Sequence, residues 1–170
     1  QTNVREEVSV SLVFAKGKLA PKQATTIPRL ELCAAVLATQ AVERTIKELK
    51  SLTIDEVVFY TDSKVILGYI QNESRRFYVY VDNRIQIIRK VSEPSQWRYI
   101  ETTDNPADLA TRCTSANVLI ESCWFEGPKF LSDVTATLDN NEKSMLCEDD
   151  PEVRPQVAIH ITGMPQKIQL

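Results

Sequence analysis

The first apolar pattern runs from Val8 to Phe14, where Val-Ser-Val-Ser-Leu-Val-Phe alternates and then turns wholly apolar, as a strand entering a core does. Gly17 and Pro21 end it. Behind Pro28, from Arg29 to Lys50, Leu30, Ala34, Leu37, Ala41 and Leu49 recur near one face at helical spacing. That spacing predicts an amphipathic helix with Glu31 in its first turn. The β-branched and aromatic run Val57-Val58-Phe59-Tyr60-Thr61 is short enough for a buried parallel strand. Asp62-Ser63 follows at once, and a second helical pattern continues through Ile70, which puts Asp62 at the carboxyl end of a strand.

A third helical pattern sets Phe77, Val81, Ile85 and Ile88 on one side, with Arg76, Arg84, Arg89 and Lys90 elsewhere on the same helix. Phe77 fits the apolar stripe and is expected in the core. Trp97 to Thr102 reads as another strand. Asn105-Pro106 then supplies a cap and a proline at the first helical position, so Asp108 falls in the first turn of a last short helix. Strand, helix, strand, helix, helix, strand, helix is an α/β order with at least part of the sheet parallel. After Gly127-Pro128 the pattern weakens, interrupted by Asp139-Asn140-Asn141-Glu142, Glu148-Asp149-Asp150-Pro151 and Pro155. Residues 1–127 are therefore expected to form the globular unit, and 128–170 an acidic linker or tail toward a downstream domain. No internal repeat is visible.

Charge refines this division. The net charge is −3, yet residues 1–127 hold 16 Lys+Arg against 16 Asp+Glu, and the excess acid lies wholly beyond them. The globular part is neutral, so the positions of its charges matter more than their sum. Apolar runs such as Val10 to Ala15 are too short to cross a bilayer, and the N-terminus lacks the basic-then-apolar order of a signal peptide, so neither membrane insertion nor export is expected. Cys33, Cys113, Cys123 and Cys147 form no CxxC pair, and with a single histidine a structural zinc site has almost no ligands. They are read as reduced thiols; Cys33, beside Glu31, is read as a small apolar residue, and Trp97 and Trp124 as packing residues.

Three carboxylates share a setting that chemistry can use: Glu31 and Asp108 at helix starts, Asp62 after a core strand. Ligands of open α/β sheets bind beyond the carboxyl ends of strands, and helix N-termini stabilise anions, so the three could converge on one cleft. Clustered carboxylates repel unless a cation lies between them. Hard divalent ions such as Mg²⁺ prefer oxygen ligands, and a pair of them can activate water and neutralise the leaving oxygen of a phosphodiester. Spacing alone leaves the function open.

Three runs carry a resemblance: Ile27-Pro28-Arg29-Leu30-Glu31-Leu32-Cys33-Ala34-Ala35, Phe59-Tyr60-Thr61-Asp62-Ser63-Lys64 and Asn105-Pro106-Ala107-Asp108-Leu109-Ala110-Thr111-Arg112. In order with Ser11 to Lys16, Leu19-Ala20-Pro21, Arg75-Arg76-Phe77, Trp97 and Trp124 to Pro128, they resemble the ribonuclease H region of Bel/Pao retrotransposon polyproteins, over residues 8 to about 131. The resemblance implies a ribonuclease H-like mixed sheet flanked by helices. It also implies cleavage of the RNA strand of RNA–DNA hybrids with two Mg²⁺ or Mn²⁺ ions. Glu31, Asp62 and Asp108 match three of the family's four acids and would serve as catalytic and metal-holding residues. The fourth, an aspartate on the family's first strand, has no counterpart, because the resemblance begins near the family's third strand.

A chain without that strand would leave the strand at Val57 short of a neighbour and would have little nuclease activity by itself. The loop Glu101 to Asp104 also lacks the histidine that some ribonucleases H place there. Candidate nucleic-acid contacts are Ser63, Arg75, Arg76, Arg84 and Asn105, with Phe77, Tyr78 and Tyr80 interleaved among the arginines. The expected partners are the hybrid and the reverse transcriptase and integrase portions of one polyprotein, within cytoplasmic retroelement particles. Two other readings compete: a catalytically dead relic kept as a structural or nucleic-acid-binding module, and an aspartic peptidase. The peptidase would need Asp-Thr-Gly or Asp-Ser-Gly in a turn, whereas Asp62-Ser63-Lys64 lacks the glycine and leads into a helix.

Overall fold

A computed structural model describes residues 8–132 and 146–155. Helix α1 spans Ile27–Glu48, starting two residues ahead of the expected Arg29 because Pro28 fits the first turn, where its missing N–H costs nothing. Glu31 consequently lies one turn deeper than expected, and no acid occupies the first turn. Strand β1 is Phe59–Thr61, and helix α2 is Lys64–Gln71. Helix α3 (Val79–Val91) buries Val81, Ile85 and Ile88 as the apolar stripe predicts. Strand β2 is Trp97–Tyr99, and Ala116–Glu121 forms a short helix, α4, that the pattern had not indicated.

The sheet among the described residues has two strands, β1 and β2, parallel, in the register Phe59 to Trp97, Tyr60 to Arg98 and Thr61 to Tyr99. Parallel pairing requires a crossover, which α2 and α3 provide. Phe59 and Trp97 stack with ring centroids 4.6 Å apart, and Trp97 Nε1 donates to Ser92 Oγ at 2.9 Å, so the indole is buried with its polar atom satisfied. Helix α2 touches both strands and both longer helices; Ile66, Leu67, Tyr69 and Ile70 are buried there, so this single short element anchors the core. Helix α1 completes it with Leu32 and Ala35 against α3. The architecture is mixed α/β with a small open parallel sheet.

Val8 to Phe14 form no strand. Val13 and Phe14 are about half exposed or more, and the stretch is tied on by one backbone bond, from Leu12 N–H to the Phe125 carbonyl at 2.9 Å. An alternating sequence becomes a strand only where a neighbour satisfies its ladder groups, and among the described residues none lies alongside. Residues Pro106–Thr111 wind as a 3-10 helix rather than an α-helix, with bonds such as Asp108 N–H to the Asn105 carbonyl at 3.2 Å. None of its residues is buried, so no packed face sustains a longer helix. Within the stretch read as a tail, residues 146–155 lie against the core: Val153 is buried and pairs with Phe77 across an antiparallel bridge.

Candidate active site

One serine bonds the first of the three carboxylates, Glu31, and directly follows the second, Asp62. Ser63 is the N-cap of α2: its Oγ accepts from Ile66 N–H at 3.3 Å and donates to Glu31 Oε2 at 2.6 Å. The residue type follows from the position, because a hydroxyl can accept from a helix N-terminus while donating elsewhere. The bond ties the middle of α1's first half to the turn carrying Asp62, directly after β1. Ser63, expected among the nucleic-acid contacts, is 93% buried and has its hydroxyl fully engaged inside the protein. Asp62 is partly exposed, and its charge is one of several causes, behind burial and Glu101, that raise the Tyr99 hydroxyl above its ordinary pKa.

Asp108 is held differently. In its 3-10 turn it forms an ion pair with Arg112 and accepts from Thr111 Oγ1 at 3.4 Å, while Asn105 Oδ1 caps the turn by accepting from Ala107 N–H at 3.1 Å. Among the described residues no group of three or more His, Cys, Asp or Glu side chains is arranged to hold a metal ion. Glu31, Asp62 and Asp108 are therefore not gathered in such a group: Glu31 is bonded to Ser63, the residue after Asp62, and Asp108 is paired with Arg112.

The arginines expected to track phosphates also serve internal contacts. Arg84 stacks on Tyr80 at 3.5 Å and donates to Cys33 Sγ at 3.4 Å. Arg75 donates to the carbonyls of Cys147 and Glu148, at 3.2 and 2.9 Å. Arg76 is exposed, and its carbonyl accepts from Arg154 N–H. Arg89 closes the C-terminus of α2, donating to the Ile70 and Asn72 carbonyls, the favoured place for a cation on a helix.

Sequence reasoning missed two features. Cys33, taken as a small apolar residue, is a polar hub: burial would raise its thiol pKa, but bonds from Tyr80 and Arg84, with the charges of Arg84 and Lys18, outweigh this and lower it. Glu152, 95% buried, receives both Arg29 Nε and Nη2, at 2.6 and 3.0 Å, across 123 residues of chain. The arginine at helix spacing was visible in the sequence, but no local signal could have paired the two.

Residues 1–63 match a family described as the Pao retrotransposon-like RNaseH-like domain. This stretch, a little over a third of the chain, is similar to a Bel/Pao ribonuclease H-like region. The match includes Glu31, Asp62 and Ser63, the three residues joined at the α1–α2 contact. Asp108 and the motifs near Trp124 lie beyond it. No curated protein and no solved structure matches the chain. No helix among the described residues is long and apolar enough to cross a membrane.

Proposed function

We propose that this chain is the ribonuclease H-type endonuclease portion of a Bel/Pao retrotransposon polyprotein, folded on a ribonuclease H-like scaffold. In the intact protein it cuts the RNA strand of RNA–DNA hybrids within cytoplasmic particles, alongside reverse transcriptase and integrase portions. The observation carrying this reading is that the family match ends on the very turn where Ser63 joins Glu31 to the Asp62 segment. Glu31, Asp62 and Asp108 are the carboxylates we assign to a Mg²⁺- or Mn²⁺-dependent hydrolysis, with two ions in the intact enzyme. In the chain described here those three do not form an ion site, so it is expected to be inactive alone.

The test is cleavage of a labelled RNA–DNA hybrid in Mg²⁺ or Mn²⁺. It compares this chain with a longer clone carrying upstream coding sequence, each also with Asp62→Asn. Cutting by the longer clone alone, abolished by Asp62→Asn, is the expected result. A well-folded longer clone that binds hybrid and cuts nothing would replace the nuclease with a catalytically dead binding module, the reading that the Asp108–Arg112 pairing favours.

A further inference from the structure

The segment 146–155 carries Glu148, Asp149, Asp150 and Glu152 and lies against two of the candidate phosphate-binding arginines, Arg75 and Arg76, and against Arg29. Arg29 grips the Glu152 carboxylate with two donors, and the Arg75 guanidinium is taken up by the Cys147 and Glu148 carbonyls. Beside them Tyr69 Oη donates to both Asp150 carboxylate oxygens at 3.0 Å. The backbone is fastened as a short antiparallel pairing, with Tyr78 N–H to the Glu152 carbonyl at 2.9 Å and Arg154 N–H to the Arg76 carbonyl at 2.7 Å. Val153 enters the core next to Phe77, which fixes the register. The Glu152 carboxylate offers Arg29 the charge and bidentate geometry that a phosphate would, and three further acids stand within the four residues before it.

We propose that residues 146–155 form an autoinhibitory strap, a built-in acidic competitor occupying Arg29 and Arg75 until an RNA–DNA hybrid displaces it. The inference rests on the nucleic-acid reading above and adds regulation to it. The strap is held by an edge pairing of few residues plus charge-assisted bonds. A polyanion can therefore compete for the charged bonds, and release leaves α1, α2 and α3 packed on one another.

The experiment uses the full chain and an RNA–DNA hybrid at fixed salt, because such affinities shift steeply with ionic strength. A shape-conserving variant, Glu148→Gln, Asp149→Asn, Asp150→Asn and Glu152→Gln, keeps the fold while removing the strap's charge. Its control, Glu48→Gln, Asp55→Asn, Glu121→Gln and Glu126→Gln, removes the same charge from exposed positions elsewhere.

The strap variant should bind hybrid about tenfold more tightly than the unaltered chain, and the control by less than about threefold, since only the first removes the carboxylate paired with Arg29 and the acids beside Arg75. Hydrogen exchange in the unaltered chain should show the Tyr78 and Arg154 amides protected, and losing protection when hybrid binds. Equal gains in the two variants, or hybrid binding with both amides still protected, overturn the strap while leaving nucleic-acid binding intact. Absence of hybrid binding by all three chains overturns the substrate reading, and the strap falls with it.

Discussion

The region from α1 to β2 and the region from Glu101 to Ser132 use the same local devices with opposite consequences. Each has a capped helix start bearing a carboxylate nearby: Ser63 caps α2 beside Asp62, and Asn105 caps the 3-10 turn holding Asp108. In the first region the capped helix is almost wholly buried, and its cap reaches a second carboxylate. In the second, neither the 3-10 turn nor α4 buries a residue, and the acid pairs with Thr111 and Arg112, three and four positions along the chain. Capping and charge place a side chain locally; only packing brings it to a partner distant in sequence. This difference is why Glu31 is bonded to the turn that carries Asp62 while Asp108 stands apart.

The comparison is broken most severely by cutting into the packed region. Ile66→Ala, at a fully buried position, should cost about 2–5 kcal/mol in urea unfolding. Ile120→Ala, 70% exposed on α4, should stay within about 0.5 kcal/mol. Equal losses at both positions would mean that α4 is packed after all.

The caps sharpen the same point. Ser63→Ala should lower stability by about 1–2 kcal/mol, because both the cap and the Glu31 bond go. Asn105→Ala should fall nearer the lower end of the capping range, about 0.5 kcal/mol. Of similar size, Tyr69→Phe should cost about 0.5 kcal/mol through the lost bond to Asp150, and exchange at the Arg154 amide should speed up. Burial, then the Asp150 contact, raises the Tyr69 pKa, so in the unaltered chain this phenol should stay protonated in alkali that ionises exposed tyrosines.

A last prediction concerns Cys33. Its lowered thiol pKa means that alkylation of Cys33 should reach half its maximal rate at a pH below the ordinary thiol range. The linked sign follows: the folded value lies below the unfolded one. The stability this thiolate adds is present above the ordinary thiol range and disappears as pH falls through the lowered value. Arg84→Met should move the alkylation midpoint back upward.

By itself the sequence determined the three long helices, the parallel strand pair and the order in which they follow one another. These depend on periods of 3.6 and 2 and on residues such as Pro28, Ser63 and Asn105 that act on their immediate neighbours. It also marked Glu31, Asp62 and Asp108 as the acids worth locating. What only the tertiary structure decided were the partnerships. Val8 to Phe14 carries a strand's alternation without becoming one, since alternation cannot supply the neighbour a ladder needs. The arginines of α3 look like a solvated cationic face, yet Arg84 turns to Tyr80 and Cys33, and Arg89 to the end of α2. Glu152 sits among acids in a stretch without periodicity, and finds Arg29 because Val153 is drawn into the core beside it. Local patterns record short-range geometry; pairing across a hundred residues is set by which apolar groups can be buried together, and the charges then settle with whatever lies alongside.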